Sequence, residues 1–333
     1  MLREVVTPHN RPKILTCQLT TASGTGTAII GSDDISSVSV ASSQPTANLK
    51  RPFARTAIMG LTAGTGVGAG GFATIATVQS ASTLVAAWNN AGGTSVDATG
   101  DILALGYDSS VTTLCMNQRV ESTKIRPRCI WGKITGSTGA VAIGVGDFAC
   151  TRTGTGAYTV NFKETFCRTP IILLTGIATG GTVRAPVIGT KTATSVTVTI
   201  ANQAGTASDG DFYISVWGQT SRDEQGGRFR YLRNSQRRPR MLGARVTVAG
   251  PTLTVGSEDF TLVKNGTGDF TLTYLRPFRR ECAVFGGSRS NRFQVISSSS
   301  TAININTLAA GAGSADPTSF DVIVIGSDDP SGY

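Results

Sequence analysis

Histidine, the side chain best suited to moving protons near neutral pH, occurs once in these 333 residues, as His9. A histidine-based triad or a multi-histidine metal site within the body of the chain is therefore excluded. The six cysteines, at positions 17, 115, 129, 150, 167 and 282, form no C-x-x-C pair, which argues against a zinc ribbon or a redox dithiol. The glycine-rich stretch Gly64-Thr-Gly66-Val-Gly68 lacks the strand-to-helix setting and the Lys-Ser/Thr ending of a phosphate loop. The carboxylate pairs Asp33-Asp34, Asp209-Gly-Asp211, Glu258-Asp259 and Asp328-Asp329 lack the regularly spaced oxygens of a calcium loop. They read as loop carboxylates, solvated or paired with arginine. With no nucleophile–base constellation on view, the expectation is a protein that is not an enzyme and needs no metal or cofactor.

Positive charge is the feature left over, and it is unevenly placed. The net charge is +9, yet residues 1–13 carry +2, residues 109–128 carry +3 and residues 222–240 carry +5, so the remainder is close to neutral. The middle segment supplies Arg119, Lys124, Arg126 and Arg128. The last supplies Arg222, Arg228, Arg230, Arg233, Arg237, Arg238 and Arg240, with Phe229 and Tyr231 among them. Arginine is weakly hydrated and forks onto carboxylates or phosphates, so these segments are candidates for contact with a partner. Nucleic acid would bind them in a salt-sensitive way. Confinement of the charge to strips, without a broad basic face, favours an acidic protein surface instead. Arg-Pro steps at residues 11–12, 126–127 and 238–239 hold the preceding arginine extended and suggest stiff docking straps.

Between the basic strips the chain repeats itself three times. Residues 31–55, 144–168 and 256–280 align without a gap, placing Phe53, Phe166 and Phe278 in register, followed by Arg55, Arg168 and Arg280. Asp34, Asp147 and Asp259 also coincide, and the expectation is a structural ion pair between the repeated Asp and the repeated Arg across one hairpin. A period this long marks a domain copied three times, not a solenoid of short units. Tyr158-Thr-Val-Asn-Phe162 and Phe270-Thr-Leu-Thr-Tyr274 alternate apolar and polar residues, as half-buried strands do. Gly-Thr-Gly precedes each of these two and supplies a hairpin turn, whereas the first copy has Gln44-Pro45 nearby. Residues 72–88 come nearest to a helical pattern, but their Thr and Val content leans to strand.

The fold class read from this is all-β: three tandem antiparallel sandwiches joined by Arg-rich linkers. The predicted layout is an arm over 1–13, sandwiches over 14–108, 129–221 and 241–333, and linkers over 109–128 and 222–240. Each unit is large enough for its own core. The cysteines do not fall at equivalent places in the copies, so an inherited disulfide framework is not expected and free thiols are. Cys115, in a linker, is the first candidate for a bridge between subunits. No run is long and apolar enough for a membrane helix, and Met1-Leu-Arg-Glu does not open like a secretory signal.

The second unit, with Y-T-V-N-F, F-C-R-T-P-I-I-L-L, S-V-T-V-T-I and D-F-Y-I-S-V-W-G, resembles modules of tailed-bacteriophage particles found in fibres, head decorations and neck or tail attachments. The F-x-x-x-P step and the closing apolar-W-G are also similar to the H-type lectin sandwich. The third unit departs from the lectin pattern, because it has no Trp and carries Cys282 where the second has Pro170. The resemblance implies a structural component of the virion, assembled in the host cytoplasm. It would be present in several copies or as a homo-oligomer, and in contact with capsid, neck or tail subunits. A host-receptor or glycan-binding module is the alternative it leaves open. Tyr213, Trp131, Trp217 and Trp88 could form a sugar platform, although the third unit's lack of Trp favours core packing.

Overall fold

A computed structural model of the chain describes residues 12–23, 25–30, 35–41, 43–50, 52–53, 57–75, 80–107, 125–143, 147–177, 184–202, 204–221, 239–255, 259–279, 281–289, 291–309 and 313–327. Among them there is no helix. Repeat 1 holds β1 (Pro12–Ala22), β2 (Thr25–Ile30), β3 (Ile35–Ala41), β4 (Gln44–Leu49), β5 (Ile58–Ala63), β6 (Phe72–Ile75), β7 (Thr83–Asn89) and β8 (Thr99–Tyr107). Repeat 2 holds β9 (Ile125–Thr135), β10 (Ala140–Ile143), β11 (Phe148–Gly154), β12 (Ala157–Phe162), β13 (Ile171–Gly176), β14 (Ala185–Lys191), β15 (Ser195–Ala201) and β16 (Phe212–Ser221). Repeat 3 holds β17 (Pro239–Thr247), β18 (Thr252–Val255), β19 (Phe260–Gly266), β20 (Asp269–Tyr274), β21 (Ala283–Ser288), β22 (Arg292–Ser298), β23 (Ala302–Leu308) and β24 (Ser319–Ser327). Within residues 72–88 the described elements are the strands β6 and β7, in keeping with their β-branched content.

Each repeat is a sandwich of two four-stranded antiparallel sheets with the same order. In repeat 1 the sheets are β2-β1-β8-β5 and β3-β4-β7-β6, and the other two copy this arrangement. The alternating sequences face the sandwich interior as expected: Tyr158, Val160 and Phe162 of β12, and Phe270, Leu272 and Tyr274 of β20, are buried. The turn before each of these strands has a glycine with positive φ, Gly156 at 65° and Gly268 at 66°. The equivalent residue of repeat 1 is Ser43, at 59°, so the drifted copy keeps the left-handed turn without the glycine. The repeated phenylalanines bury their rings and donate the same backbone bond: Phe53 N to Ala81 O, Phe166 N to Ala193 O, and Phe278 N to Ser300 O.

The second module begins inside the predicted linker 109–128. β9 begins at Ile125, so Arg126 and Arg128 fall on a strand whose backbone pairs with Thr220 and Gly218 of β16. Pro12 and Pro239 likewise start β1 and β17.

The three sandwiches close into a ring. β5, β13 and β21 are sheet-edge strands, yet all six residues of each are buried, because the three edges meet one another at the centre. The packing is cyclic: β8 of repeat 1 touches β13 of repeat 2, β16 of repeat 2 touches β21 of repeat 3, and β24 of repeat 3 returns to β5 of repeat 1. This is the heterologous, closing contact of a homotrimer, made within one chain. At the middle sit three equivalent residues of unequal size, Gly60, Leu173 and Phe285, each third in its strand. A Cβ on Gly60 would lie 3.2 Å from Leu173 and 3.2 Å from Ile323. A true homotrimer must place one residue type at its axis; this triplicated chain fills it with one small, one medium and one large.

Candidate functional site

The residues that sequence reasoning selected part into two groups. Arg119, Lys124, Arg222, Arg228, Arg230, Arg233, Arg237 and Arg238, together with Asp34, Arg55, Arg280, His9 and Cys115, lie outside the described residues. Arg240 is described, and it serves repeat 3 itself. Its guanidinium lies 4.1 Å over the Phe278 ring and donates to the carbonyls of Arg276 and Pro277. That engagement lies within repeat 3, since the residue belongs to β17.

The repeated Asp–Arg pair takes a different form in the copy where both members are described. The chain bends after buried Phe166, leaving Arg168 exposed, and no ion pair joins it to Asp147 among the described residues. What recurs is a main-chain bond: Asp147 O accepts from Lys163 N and Asp259 O from Leu275 N, both at 2.9 Å. Two further carboxylates act as loop clamps, each pairing with a cation. Asp209 takes both Arg152 Nε and Nη2, Gly156 N and Tyr158 Oη, and the Arg152 guanidinium holds its carboxyl down at about 2. Asp316 repeats the device, taking Lys264 Nζ and Gly268 N. Both clamps tie the left-handed turn of a hairpin to the segment that enters the closing strand.

The polar chemistry that organises the molecule lies between the repeats, at one position that occurs three times. Asp101, Tyr213 and Asp321 are equivalent, and each pairs across its sheet with Gln18, Lys133 and Arg245 respectively. At the first junction, Asp101 of repeat 1 accepts from Ile172 N (2.7 Å) and Lys191 Nζ (2.6 Å) of repeat 2, and from Gln18 Nε2 (3.0 Å). At the second, Tyr213 Oη and Lys133 Nζ of repeat 2 both donate to Glu281 of repeat 3, at 2.7 and 2.9 Å. At the third, Asp321 of repeat 3 accepts from Met59 N of repeat 1 (2.9 Å) and from Arg245 Nε and Nη2 (2.7 Å each), while Arg245 also donates to Ala57 O. Met59 and Ile172 are themselves equivalent, so a carboxylate accepts from the same edge-strand amide at two of the three junctions.

Burial governs the electrostatics here. Asp101 is 0% exposed and Asp321 1%. Desolvation pushes the Asp101 carboxyl up and the Lys191 ammonium down, and the attraction between the two opposes both shifts. Desolvation likewise pushes Asp321 up against the pull of Arg245. Burial first, then the bond to Glu281, raises the Tyr213 hydroxyl well above its ordinary value. Charges this deep hold together only while every partner is present.

Comparison with protein-family models, with curated proteins and with solved structures finds no match. What the arrangement can do must be read from its own geometry. The described cysteines, Cys17, Cys129, Cys150, Cys167 and Cys282, are not joined in disulfides. Burial pushes the Cys129 and Cys150 thiols up to about 12, which makes them poor nucleophiles. No group of three or more His, Cys, Asp or Glu side chains that could hold a metal occurs among the described residues. Trp88 is fully buried, and Trp131 and Trp217 pack against the core that repeat 3 shares with its neighbours. These indoles serve packing, and no aromatic platform of the lectin kind assembles from them.

Proposed function

We propose that this chain is a structural, non-enzymatic building block of a tailed-bacteriophage particle. In this reading the closed body presents a rigid three-sided module to neighbouring capsid, neck or tail subunits, and the basic segments dock it there. The observation that carries the reading is the cyclic closure of three copied sandwiches around buried edge strands. Closure covers the sheet edges through which such modules would otherwise associate at random. It yields a body of fixed valence, which suits a threefold or ring-like position in an assembly. The positive charge outside the repeats, chiefly Arg222, Arg228, Arg230, Arg233, Arg237 and Arg238, supports attachment to acidic subunit surfaces.

The test is to purify particles from the source that encodes the chain, count its copies by mass spectrometry and locate it by cryo-electron microscopy. The reading expects a fixed copy number at a defined position. It also expects Arg237→Ala with Arg238→Ala to lower incorporation, and raised salt to mimic that loss. Absence from the particles, or incorporation indifferent to both changes, overturns it. Glycan-array binding by the full chain with no copy in particles would favour the receptor-binding alternative.

A further inference from the structure

Where the three repeats converge beside the central strands there is a partly open cavity of about 60 Å³. Every repeat contributes to its wall: Leu61 and Thr62 from the first, Thr175 and Arg184 from the second, Arg292 and Phe293 from the third. Among the described residues two arginines line it and no carboxylate does. Arg292 opens β22, the position held by Phe72 in β6 and by Ala185 in β14, so at this position only the third copy supplies a charge.

Arg292 is 3% exposed. Its guanidinium stacks 4.5 Å over the Phe72 ring, and Nη2 donates to Ala91 O at 2.6 Å, both in repeat 1. The remaining nitrogens, Nε and Nη1, are buried with no acceptor among the described residues. No ion pair engages Arg292 among those residues either. A buried guanidinium with donors left over is costly unless an anion or other acceptor meets it. Ion pairs satisfy the other deep cations, Lys191 and Arg245. Arg184, the second cation of the wall, is anchored through Nε to Asp209 O at 2.8 Å.

We propose that this cavity is a binding site for a small oxyanion of the phosphate, sulfate or carboxylate class, received by Arg292 Nε and Nη1. About 10–15 Å³ suffices for one water, so the cavity's 60 Å³ has room for an oxyanion of a few heavy atoms. Stacking on Phe72 holds the guanidinium in place, and the bond to Ala91 fixes its orientation, so little side-chain freedom is lost on binding. Because walls from all three repeats meet there, a bound anion would also tie the ring together.

Thermal unfolding of the full chain tests this near neutral pH and at matched ionic strength, with sodium phosphate, sulfate or acetate replacing chloride. Phosphate and sulfate stabilise most proteins in a linear, non-saturating way, so the informative quantity is a saturable rise in midpoint. The expected rise is about 2 °C or more for at least one of the three anions, absent in Arg292→Gln. The proposal is overturned by a purely linear response, or by a saturable one that survives in Arg292→Gln. A second measurement needs no variant: crystals of the unaltered chain soaked in selenate. An anomalous peak within hydrogen-bonding distance of Nε or Nη1 supports the site, whereas selenate bound only elsewhere refutes it.

Discussion

At Asp101 three donor groups, Gln18 Nε2, Ile172 N and Lys191 Nζ, converge on a carboxylate with no exposed surface. The consequence of removing its charge follows from what stays behind. Asp101→Asn leaves the Lys191 ammonium, whose side chain is 8% exposed, without its counter-charge, and breaking such a pair costs about 3–5 kcal/mol. Replacing both members by neutral groups of similar bulk removes the stranded charge. We therefore expect Asp101→Asn to lower the free energy of unfolding in urea by about 3–5 kcal/mol, and Asp101→Asn with Lys191→Met to recover most of that. Equal losses in the single and the double variant would show that the pair does not act as a unit.

For the strands, the interior of each sandwich was legible in the sequence and the closure of the ring was not. Alternation gave β12 and β20 their inward residues, and Gly156 and Gly268 announced their turns. Ser43 shows the limit of that signal, since it takes the same left-handed conformation with no glycine to mark it. β5, β13 and β21 are mostly apolar without alternation, and such a run reads the same for a strand covered by its own sandwich as for one covered by a neighbour. The junction carboxylates were hidden for a related reason. Asp101 and Asp321 are each third in a largely apolar strand, but the second copy has Tyr213 there, so no charge recurs three times at that position. Their cross-repeat partners also lie far away along the chain, 262 residues in the case of Met59 and Asp321.

The centre of the ring offers a test at this scale. Gly60→Leu pushes new atoms into Leu173 and Ile323, whose methyls already stand 3.2 Å from the site of a Cβ. Overpacking of this kind costs roughly 1–3 kcal/mol. Leu173→Ala opens space on that side, so the two changes together should cost less than the sum of their separate effects, with a coupling of about 0.5–3 kcal/mol. Strict additivity in a double-mutant cycle would mean that the two edge strands do not share one packed centre.

For the whole molecule, the core that surrounds repeat 3 includes Ile58 and Leu103 of repeat 1 and Leu173, Ile177 and Tyr213 of repeat 2. A repeat unfolding alone would strip water-excluding cover from its neighbours and strand the charges at two junctions. Three sandwiches strung on linkers, the arrangement that sequence alone suggested, would instead melt independently. Calorimetric unfolding of the full chain, under conditions where it is reversible, separates these directly. The closed ring predicts one transition whose calorimetric and van't Hoff enthalpies agree, a ratio of about one. Three resolved transitions, or a calorimetric enthalpy about three times the van't Hoff value, would contradict the ring as a single cooperative body.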